Sequence, residues 1–374
     1  MILVNKPKTL FIILISVCAL VLVGGVLWFL RDKDPYDSAA PPELPAPPLK
    51  ELAERRGIQI GSFASLKYLR ERPYSEILTG QFEYLIIDGE PNWKFEDHEL
   101  RPSRNDYNFE DMDAVFDFAD QHDMPVRVQH LLWGDEKWLP QWLKDGNYSK
   151  EELLAIIEDH IRTVGSRYKG RVRAYTVVNE AFSRKLETGG NKDWWGERLG
   201  YEYIDNAFRW AKEADPNAIL ILNDFGNEYD SAITDEMYAY TEGALARGVP
   251  IDAVGMQMHI AGDSAKSKDE VAATMKRFNN LGVKVYITEF DVNMSNVEKD
   301  KDEEDQLQAN IYRDMLQACL DVGPTVCPNF GFLGLIDRQS WYRGIGLEDA
   351  NPLLFNEDYS PKPAFFAIRD ALEQ

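Results

Sequence analysis

The sequence predicts a (β/α)8 barrel, and three observations lead to that prediction. Eight short apolar runs rich in β-forming residues follow one another from residue 57 onward, separated by stretches with helical spacing of apolar residues. The runs are nearly continuous in apolar residues, which is typical of parallel strands covered by helices. Polar residues follow the ends of several runs, and barrels build their active sites at that end.

An uncharged segment near the amino terminus predicts a membrane anchor. Residues 10–30 contain no charged side chain and are numerous enough to span a bilayer as a helix. Lys6 and Lys8 favour a cytoplasmic position for residues 1–9. A long cleavable signal, cut near Ser38-Ala39-Ala40, is the alternative. In either case the sequence predicts that the rest of the chain is extracytoplasmic.

A proline-rich stretch separates this segment from the folded domain. Residues 31–49 include the string PYDSAAPPELPAPP, and proline at this density favours extended, semi-rigid conformations. The stretch is therefore predicted to be a linker, and residues 50–374 to form one catalytic domain. A single barrel needs about 250 residues, so this length does not require a second domain. We expect the domain to be a monomer.

The predicted strands and helices alternate through the whole domain. The strand-like runs are IQIGSFA (58–64), YLIID (84–88), VRVQHLL (126–132), AYTVVNEA (174–181), AILILND (218–224), AVGMQMHI (253–260), KVYITEFDV (284–292) and FGFLGLID (330–337). Helical segments include 109–122, 150–168, 201–215, 235–247, 268–281 and 306–321. A doubly wound open sheet is the structural alternative. No GxGxxG or phosphate-binding loop follows the first run, which disfavours it.

The net charge and the cysteine content argue against a nucleic-acid partner and against a metal site. The formal net charge of −22 argues against a nucleic-acid partner, because phosphate backbones are bound by Lys and Arg. Of the three cysteines, Cys18 lies in the apolar segment and Cys319 and Cys327 lie late in the chain. No cysteine or histidine cluster has the spacing of a zinc site, so we expect neither a metal nor a cofactor.

Two glutamates stand out among the polar residues at the strand ends. The residues at these ends are Asn179-Glu180, Asn223-Asp224, Gln257 with His259, and Glu289 with Asp291. Glu180 and Glu289 each end a strand in a separate βα unit. Cleavage of a glycosidic bond uses one carboxylic acid to protonate the leaving oxygen and a second carboxylate at the anomeric carbon. One strand-end glutamate is equally compatible with a structural salt bridge, so the pair carries the inference.

Several strings in the chain resemble one family of enzymes. They are TVVNEAF (176–182), ILNDF (221–225), GVPIDAVGMQMHI (248–260), ITEFDV (287–292), LGLIDRQSW (333–341) and PLLFNEDYSPKPAFFAI (352–368). In these strings the chain resembles glycoside hydrolase family 10, the retaining β-1,4-xylanases with a (β/α)8 fold. The matches run in order across about residues 57–370. The resemblance implies hydrolysis of a β-1,4-linked polysaccharide, either xylan or a related β-glycan.

The resemblance also implies roles for individual residues. Glu180 would be the acid/base and Glu289 the nucleophile. Asn179 would bond the 2-hydroxyl of the sugar at the cleaved bond, while His259 bonds the nucleophile and Asp291 supports the same network. A carboxylate close to an acid/base helps it to keep its proton.

A further set of residues would bind the sugar chain. Glu90 and Lys94 resemble the sugar-binding pair after the second strand, and Gln257 would lie in the site. Trp133 and Trp341 resemble tryptophans that shape the glycone side, since indole faces suit the apolar faces of pyranose rings.

The chain departs from the family pattern at several sugar contacts. Gln129 and His130 are predicted to bind the sugar chain as well. Gln129 replaces the first histidine of the family string after strand three, and His130 could substitute for it only if the strand end is bulged. Pro91 follows Glu90 where the family has Asn, Leu333 replaces a tryptophan, and Tyr175-Thr176 replaces Trp-Asp. We therefore expect altered sugar specificity, with xylan as the default.

Cys319 and Cys327 resemble a cysteine pair that members of the family often carry at this place. The resemblance therefore implies a disulfide, and an exported domain would keep it oxidised. Two buried free thiols are the alternative.

Two questions stay open at the level of sequence. Five tryptophans fall in loops after strands two to four, where they could form a stacking cleft or pack in the core: Trp93, Trp138, Trp142, Trp194 and Trp195. A non-hydrolytic glycan-binding protein, a transglycosylase and an exo-acting enzyme are the rival functions.

Overall fold

Eight parallel strands close into a barrel. The computed structural model describes residues 40–87, 93, 99–183 and 193–374. The barrel strands are β1 (Gln59–Phe63), β2 (Tyr84–Ile87), β3 (Val126–Trp133), β4 (Val172–Asn179), β5 (Ile219–Asp224), β6 (Ala253–Met256), β8 (Lys284–Asn293) and β9 (Asn329–Phe332). Adjacent strands pair in parallel in the order β6-β5-β4-β3-β2-β1-β9-β8. A parallel pairing of β8 with β6 closes the ring. The predicted barrel is confirmed, because a doubly wound sheet would have open edges.

The sixth predicted strand, 253–260, is interrupted in the structure. β6 ends at Met256, and Met258 adopts a left-handed backbone conformation with φ of 60°. The chain then resumes as the short strand β7 (His259–Ala261), which pairs in parallel with β8. The register sets His259 opposite Asp291, so the interruption brings two predicted site residues together.

Helices cover the outside of the barrel. Their bounds are Leu49–Arg55, Leu66–Leu69, Arg72–Gln81, Glu110–Gln121, Gln141–Asp145, Lys150–Arg167, Trp194–Leu199, Glu202–Ala214, Ala232–Ala246, Lys268–Asn279, Lys301–Val322 and Pro363–Glu373. The largest difference from prediction is the helix Lys301–Val322, which starts well before residue 306. Its first turn is highly charged and shows no apolar periodicity. Asp300 caps it by accepting a hydrogen bond from the backbone N–H of Glu303 at 3.0 Å.

The end of the predicted linker packs on the barrel domain. Arg369, in the last helix, donates hydrogen bonds to the backbone carbonyls of Pro45 (3.1 Å) and Ala46 (2.7 Å). The folded unit therefore extends to the amino-terminal side of residue 50. The predicted membrane segment, residues 10–30, lies outside the described residues. Among the helices that are described, each is either too short or too polar to cross a bilayer.

Cys319 and Cys327 form a disulfide, which confirms the predicted pairing. Cys319 lies in the last turns of the helix Lys301–Val322, and Cys327 lies just before β9. Both residues are fully buried. The bridge thus joins an outer helix to the strand that leads to the cleft wall.

Removing this bridge should lower stability without removing activity. In the chain-entropy account, closing a loop of this length contributes about 2–3 kcal/mol to the free energy of unfolding. We expect a Cys319→Ser, Cys327→Ser double variant to lose about that much in denaturant unfolding. Alkylation of the unreduced wild-type protein, followed by mass spectrometry, should label neither residue. Two labelled thiols would contradict the bridge.

Candidate active site

A cleft of about 540 Å³ opens at the carboxyl-terminal ends of the strands. The predicted site residues that line it are His130, Trp133, Asn179, Glu180, Gln257, His259, Glu289 and Trp341. Residues that the site prediction did not include also line it: Asp135, Lys137, Trp138, Phe225, Leu333, Tyr342 and Ile345. The barrel therefore gathers side chains from distant parts of the sequence around two glutamates.

Glu180 directly follows β4 and is held at both carboxylate oxygens. The indole N–H of Trp133 donates to Oε2 at 2.7 Å, and the side-chain amide of Gln257 donates to Oε1 at 3.1 Å. Its backbone has a φ of 57°, in the left-handed region that non-glycine residues seldom adopt. Strain of this kind is concentrated at functional sites, where it fixes the direction of a side chain.

Glu289 lies within β8 and meets a different set of partners. The side-chain amide of Asn223 donates to Oε1 at 2.7 Å, and Nε2 of His259 lies 3.5 Å from Oε2. Burial raises the pKa of Glu289. The hydrogen bond and positive charge of His259, with the charge of Arg127, more than offset this and lower the pKa below its ordinary value. Glu289 is therefore ionised at neutral pH.

His259 is the positive partner in this arrangement. Burial by itself lowers the pKa of a histidine, but the carboxylates of Asp291 and Glu289 raise it well above its ordinary value. Nδ1 of His259 lies 3.0 Å from Oδ1 of Asp291. The other carboxylate oxygen of Asp291, Oδ2, accepts a hydrogen bond from the indole N–H of Trp341 at 3.0 Å. Asp291 is fully buried behind the cleft and orients both rings.

A network of side-chain amides connects the two glutamates. The amide of Asn223 donates to Glu289 and also to Oδ1 of Asn179 at 2.7 Å, and Gln257 donates to the same Oδ1 at 3.1 Å. Gln257 in turn contacts Glu180. Within the described ranges, Nδ2 of Asn179 has no hydrogen-bond partner, although it is buried at the cleft. Asn223 was noted at a strand end but not predicted as a site residue, because its bridging position depends on the closed barrel.

Most of the loop tryptophans pack in the core. Trp93, Trp194 and Trp195 are buried, and Trp142 stacks on Trp93 with ring centroids 6.2 Å apart. Of these loop residues, Trp138 alone lines the described cleft, where it stacks against Trp133 at 6.0 Å. The open question about these residues is thereby answered in favour of packing for most of them.

Comparison with known proteins identifies the family. The family model described as glycosyl hydrolase family 10 matches residues 48–371. The chain belongs to glycosyl hydrolase family 10.

Three relatives of this family 10 chain align with most of its length. Endo-1,4-β-xylanase B of Thermotoga neapolitana is 37% identical over 331 residues, which cover 87% of this chain and 92% of the relative. The β-1,4-xylanase of Dictyoglomus thermophilum is 31% identical over 366 residues, covering 95% and 97% of the two chains. Xylanase 10B from Thermotoga petrophila RKU-1, solved in complex with xylobiose, superposes with a TM-score of 0.80 at 36% identity, covering 89% of this chain and 99% of that one.

Two departures from the family pattern lie side by side. Gln129 pairs with Thr176 across β3 and β4, and both are fully buried. Gln129 is not among the residues that line the cleft. The pairing of β3 with β4 is irregular between Gln129 and Leu132, and His130 faces the cleft instead. The sequence predicted that His130 would substitute for the family histidine only if the end of this strand were bulged, and the irregular pairing meets that condition.

The imidazole ring of His130 is uncharged in the cleft at neutral pH. Burial lowers its pKa to about 4, although the negative charge of Glu289 acts in the opposite direction. An uncharged imidazole beside a nucleophile can serve as a hydrogen-bonding group for sugar hydroxyls. Glu90 and Lys94, the predicted sugar-binding pair after β2, lie outside the described residues.

Proposed function

We propose that the chain is a retaining endo-1,4-β-xylanase, with Glu289 as nucleophile and Glu180 as acid/base. The observation that carries this proposal is the placement of two buried strand-end glutamates in one cleft with contrasting partners. Glu289 faces a protonated histidine, whereas Trp133 and Gln257, which hold Glu180, are neutral. The xylanases among the relatives, including one crystallised with xylobiose, support xylan as the substrate.

In the first half of the reaction Glu289 attacks the anomeric carbon. Its lowered pKa keeps the carboxylate ionised, as a nucleophile requires. Glu180 gives its proton to the glycosidic oxygen as the bond to the anomeric carbon breaks, and the aglycone leaves. The products are a free sugar hydroxyl and a glycosyl ester on Glu289.

In the second half Glu180 acts as a base. Its carboxylate takes a proton from water, the oxygen of that water attacks the anomeric carbon, and Glu289 departs as a carboxylate. Two inversions give net retention of configuration. Nδ2 of Asn179, which has no hydrogen-bond partner among the described residues, is suited to donate to the 2-hydroxyl of the sugar, a contact that strengthens in the transition state.

The rest of the cleft supports binding of a sugar chain. The side chain of Trp341 is 43% exposed while its N–H is held by Asp291, so the ring presents a fixed apolar face. Trp133 is held in the same way by Glu180. Fixed aromatic faces bind the apolar faces of pyranose rings at low entropic cost.

A substrate screen tests this function. The soluble fragment that begins near residue 40 should release reducing sugar from β-1,4-xylan faster than from other plant and microbial polysaccharides. Short xylo-oligosaccharides should dominate the early products, as endo action requires. Binding to xylan without release of sugar would favour a glycan-binding protein, and release of single sugars from chain ends would favour exo action.

Leu333 is expected to alter which sugars are accepted. It lines the cleft where the family pattern has a tryptophan, and a smaller side chain leaves more room for a substituted sugar. Leu333→Trp should shift the ratio of kcat/KM values toward plain xylo-oligosaccharides over substituted ones by about tenfold, since one lost cavity contact is worth about 1–3 kcal/mol. Leu333→Met, which conserves volume, is the matched control. An unchanged ratio in Leu333→Trp would contradict this role.

We further propose that the enzyme works outside the cytoplasm, held at the membrane by residues 10–30. The length and lack of charge of that segment support an anchor. The Cys319–Cys327 disulfide supports an oxidising compartment. Fractionation of the native host, followed by protease treatment of cells stripped of their wall and of any outer membrane, tests the proposal. Full protection of the domain would contradict it.

A further inference from the structure

An exposed isoleucine lies on one wall of the cleft, and the proposed mechanism gives it no role. The wall is the short helix Trp341–Ile345, which follows β9. Trp341 and Ile345 both line the cleft, and they are 43% and 56% exposed. Among the described residues, Phe366 is the only other large apolar residue with comparable exposure. Two of the three such residues therefore lie on one helix at the cleft, and clustered exposed apolar surface marks binding sites.

The backbone on both sides of Ile345 is held in place. Ser340 caps the helix, because its Oγ accepts a hydrogen bond from the backbone N–H of Tyr342 at 3.2 Å. Gly346 follows Ile345 directly with a φ of 82°, a conformation that glycine adopts without strain. The N–H of Gly346 donates to the carbonyl of Arg343 at 3.1 Å. Ile345 is thus presented at the end of a helix with two defined termini.

A buried ion pair anchors this wall to the rest of the domain. Nζ of Lys362 lies 2.6 Å from Oδ2 of Asp337, and both side chains are almost fully buried. Lys362 also donates to the carbonyl of Asn351 at 2.8 Å. Oδ1 of Asp337 accepts a hydrogen bond from the backbone N–H of Leu353 at 2.9 Å. These contacts join the segment before the helix to the segment after it, and a fixed wall binds a ligand at a lower entropic cost than a mobile one.

Ile345 and Trp341 are too far apart along the helix to contact the same sugar face. Four residues of a helix of this type advance the backbone by about 8 Å, which is more than the length of one pyranose unit. The ring of Trp341 is tied to the nucleophile through Asp291 and His259. A sugar at Trp341 therefore lies close to the reacting bond, and a sugar at Ile345 belongs to another unit of the same chain.

We propose that Ile345 forms an additional sugar-binding position, where it contacts the apolar face of a xylose unit beyond the one at Trp341. The inference rests on the proposed xylanase function and extends it to the length of chain that the cleft binds. A pyranose ring placed against Ile345 removes apolar surface from water, which favours binding. An aliphatic side chain makes no hydrogen bonds, so this position recognises the presence of a further ring and not its pattern of hydroxyls.

The chain-length dependence of an Ile345→Asn variant tests this position. Asparagine removes the apolar contact at an exposed residue, where a substitution does not disturb packing. With a series from xylotriose to xylohexaose, the loss of kcat/KM should be smallest for the shortest substrate and should grow to about fivefold for the longest. Ile345→Leu, which keeps the apolar surface, should follow the wild-type profile. An equal loss at every length, or no loss at any length, would overturn the proposal.

Phe366→Asn is the matched control. Phe366 is 42% exposed and lies in the helix Pro363–Glu373, and it is not among the residues that line the cleft. Its replacement removes a comparable exposed apolar side chain and should leave the length profile unchanged. A length-dependent loss equal to that of Ile345→Asn would show a general effect of surface polarity and would overturn the proposal.

Binding to an inactive enzyme gives a second readout that needs no turnover. In the Glu289→Gln background, Ile345→Asn should weaken the affinity for xylohexaose by about fivefold and the affinity for xylotriose by less, as measured by titration calorimetry. An unchanged affinity for xylohexaose would overturn the sugar-binding role of Ile345. The proposed function would be untouched by that result, because the release of sugar from xylan by the wild type tests it separately.

Discussion

Replacing Glu289 by alanine should reduce turnover of xylan by about four to six orders of magnitude. Without the carboxylate no glycosyl ester can form, and no other carboxylate among the described cleft residues takes the place of Glu289 beside His259. Affinity for xylo-oligosaccharides should be nearly unchanged, so the loss should fall in kcat rather than in KM. Initial rates on xylan and isothermal titration with an oligosaccharide measure the two quantities.

The matched variant Glu289→Gln separates loss of charge from loss of packing. Glutamine keeps an oxygen for the amide of Asn223 but cannot act as a nucleophile. It should be as inactive as alanine and closer to wild type in thermal stability. Near-native hydrolysis by either variant would show that Glu289 is not the nucleophile.

Replacing Glu180 by alanine should produce an enzyme that external azide can rescue. With an aryl xyloside that has a good leaving group, the first step does not need an acid, so the glycosyl ester on Glu289 still forms. Water then attacks slowly because no base assists it, and the ester accumulates. Azide is small, anionic and needs no deprotonation, so it should restore turnover by about two orders of magnitude or more, in line with the usual contribution of general acid–base catalysis.

The product identifies the residue that was removed. Attack by azide on the ester of Glu289 should give the β-glycosyl azide. Wild-type enzyme, as the control, should not be accelerated by azide, because Glu180 already activates water and its charge repels the anion. Absence of rescue, or formation of the α-azide, would contradict the role of Glu180 as acid/base.

The barrel could be predicted from the sequence because both of its signals are local. Apolar runs and helical periodicity need no knowledge of distant contacts, and the eight strands lie where the runs were found. The exceptions are places where local pattern and backbone disagree. Residues 253–260 form one apolar run, yet Met258 takes a left-handed conformation that hydrophobicity does not encode. The helix Lys301–Val322 begins with charged residues, and its cap at Asp300 is a weaker signal than periodicity.

The site was predictable in part for a different reason. Glu180 and Glu289 were found because strand ends meet at one face of a barrel and because their strings match the family. The bridge through Asn223 depends on distances across the barrel, which no spacing along the chain gives. The exchange of Gln129 for His130 at the cleft depends on a change of register at one strand end.

Trapping of the glycosyl-enzyme tests the central claim most directly. A 2-deoxy-2-fluoro xylobioside with a good leaving group should inactivate the enzyme. The fluorine slows both formation and hydrolysis of the ester, because both pass through an oxocarbenium-like transition state, and the good leaving group speeds only the formation, so the ester accumulates. Mass spectrometry of the inactivated protein should show one fluoroxylobiosyl group, and peptide mapping should place it on Glu289. A label on Glu180 or on any other residue would contradict the assignment. Turnover of the reagent with inversion at the anomeric carbon and no label would contradict the retaining mechanism itself.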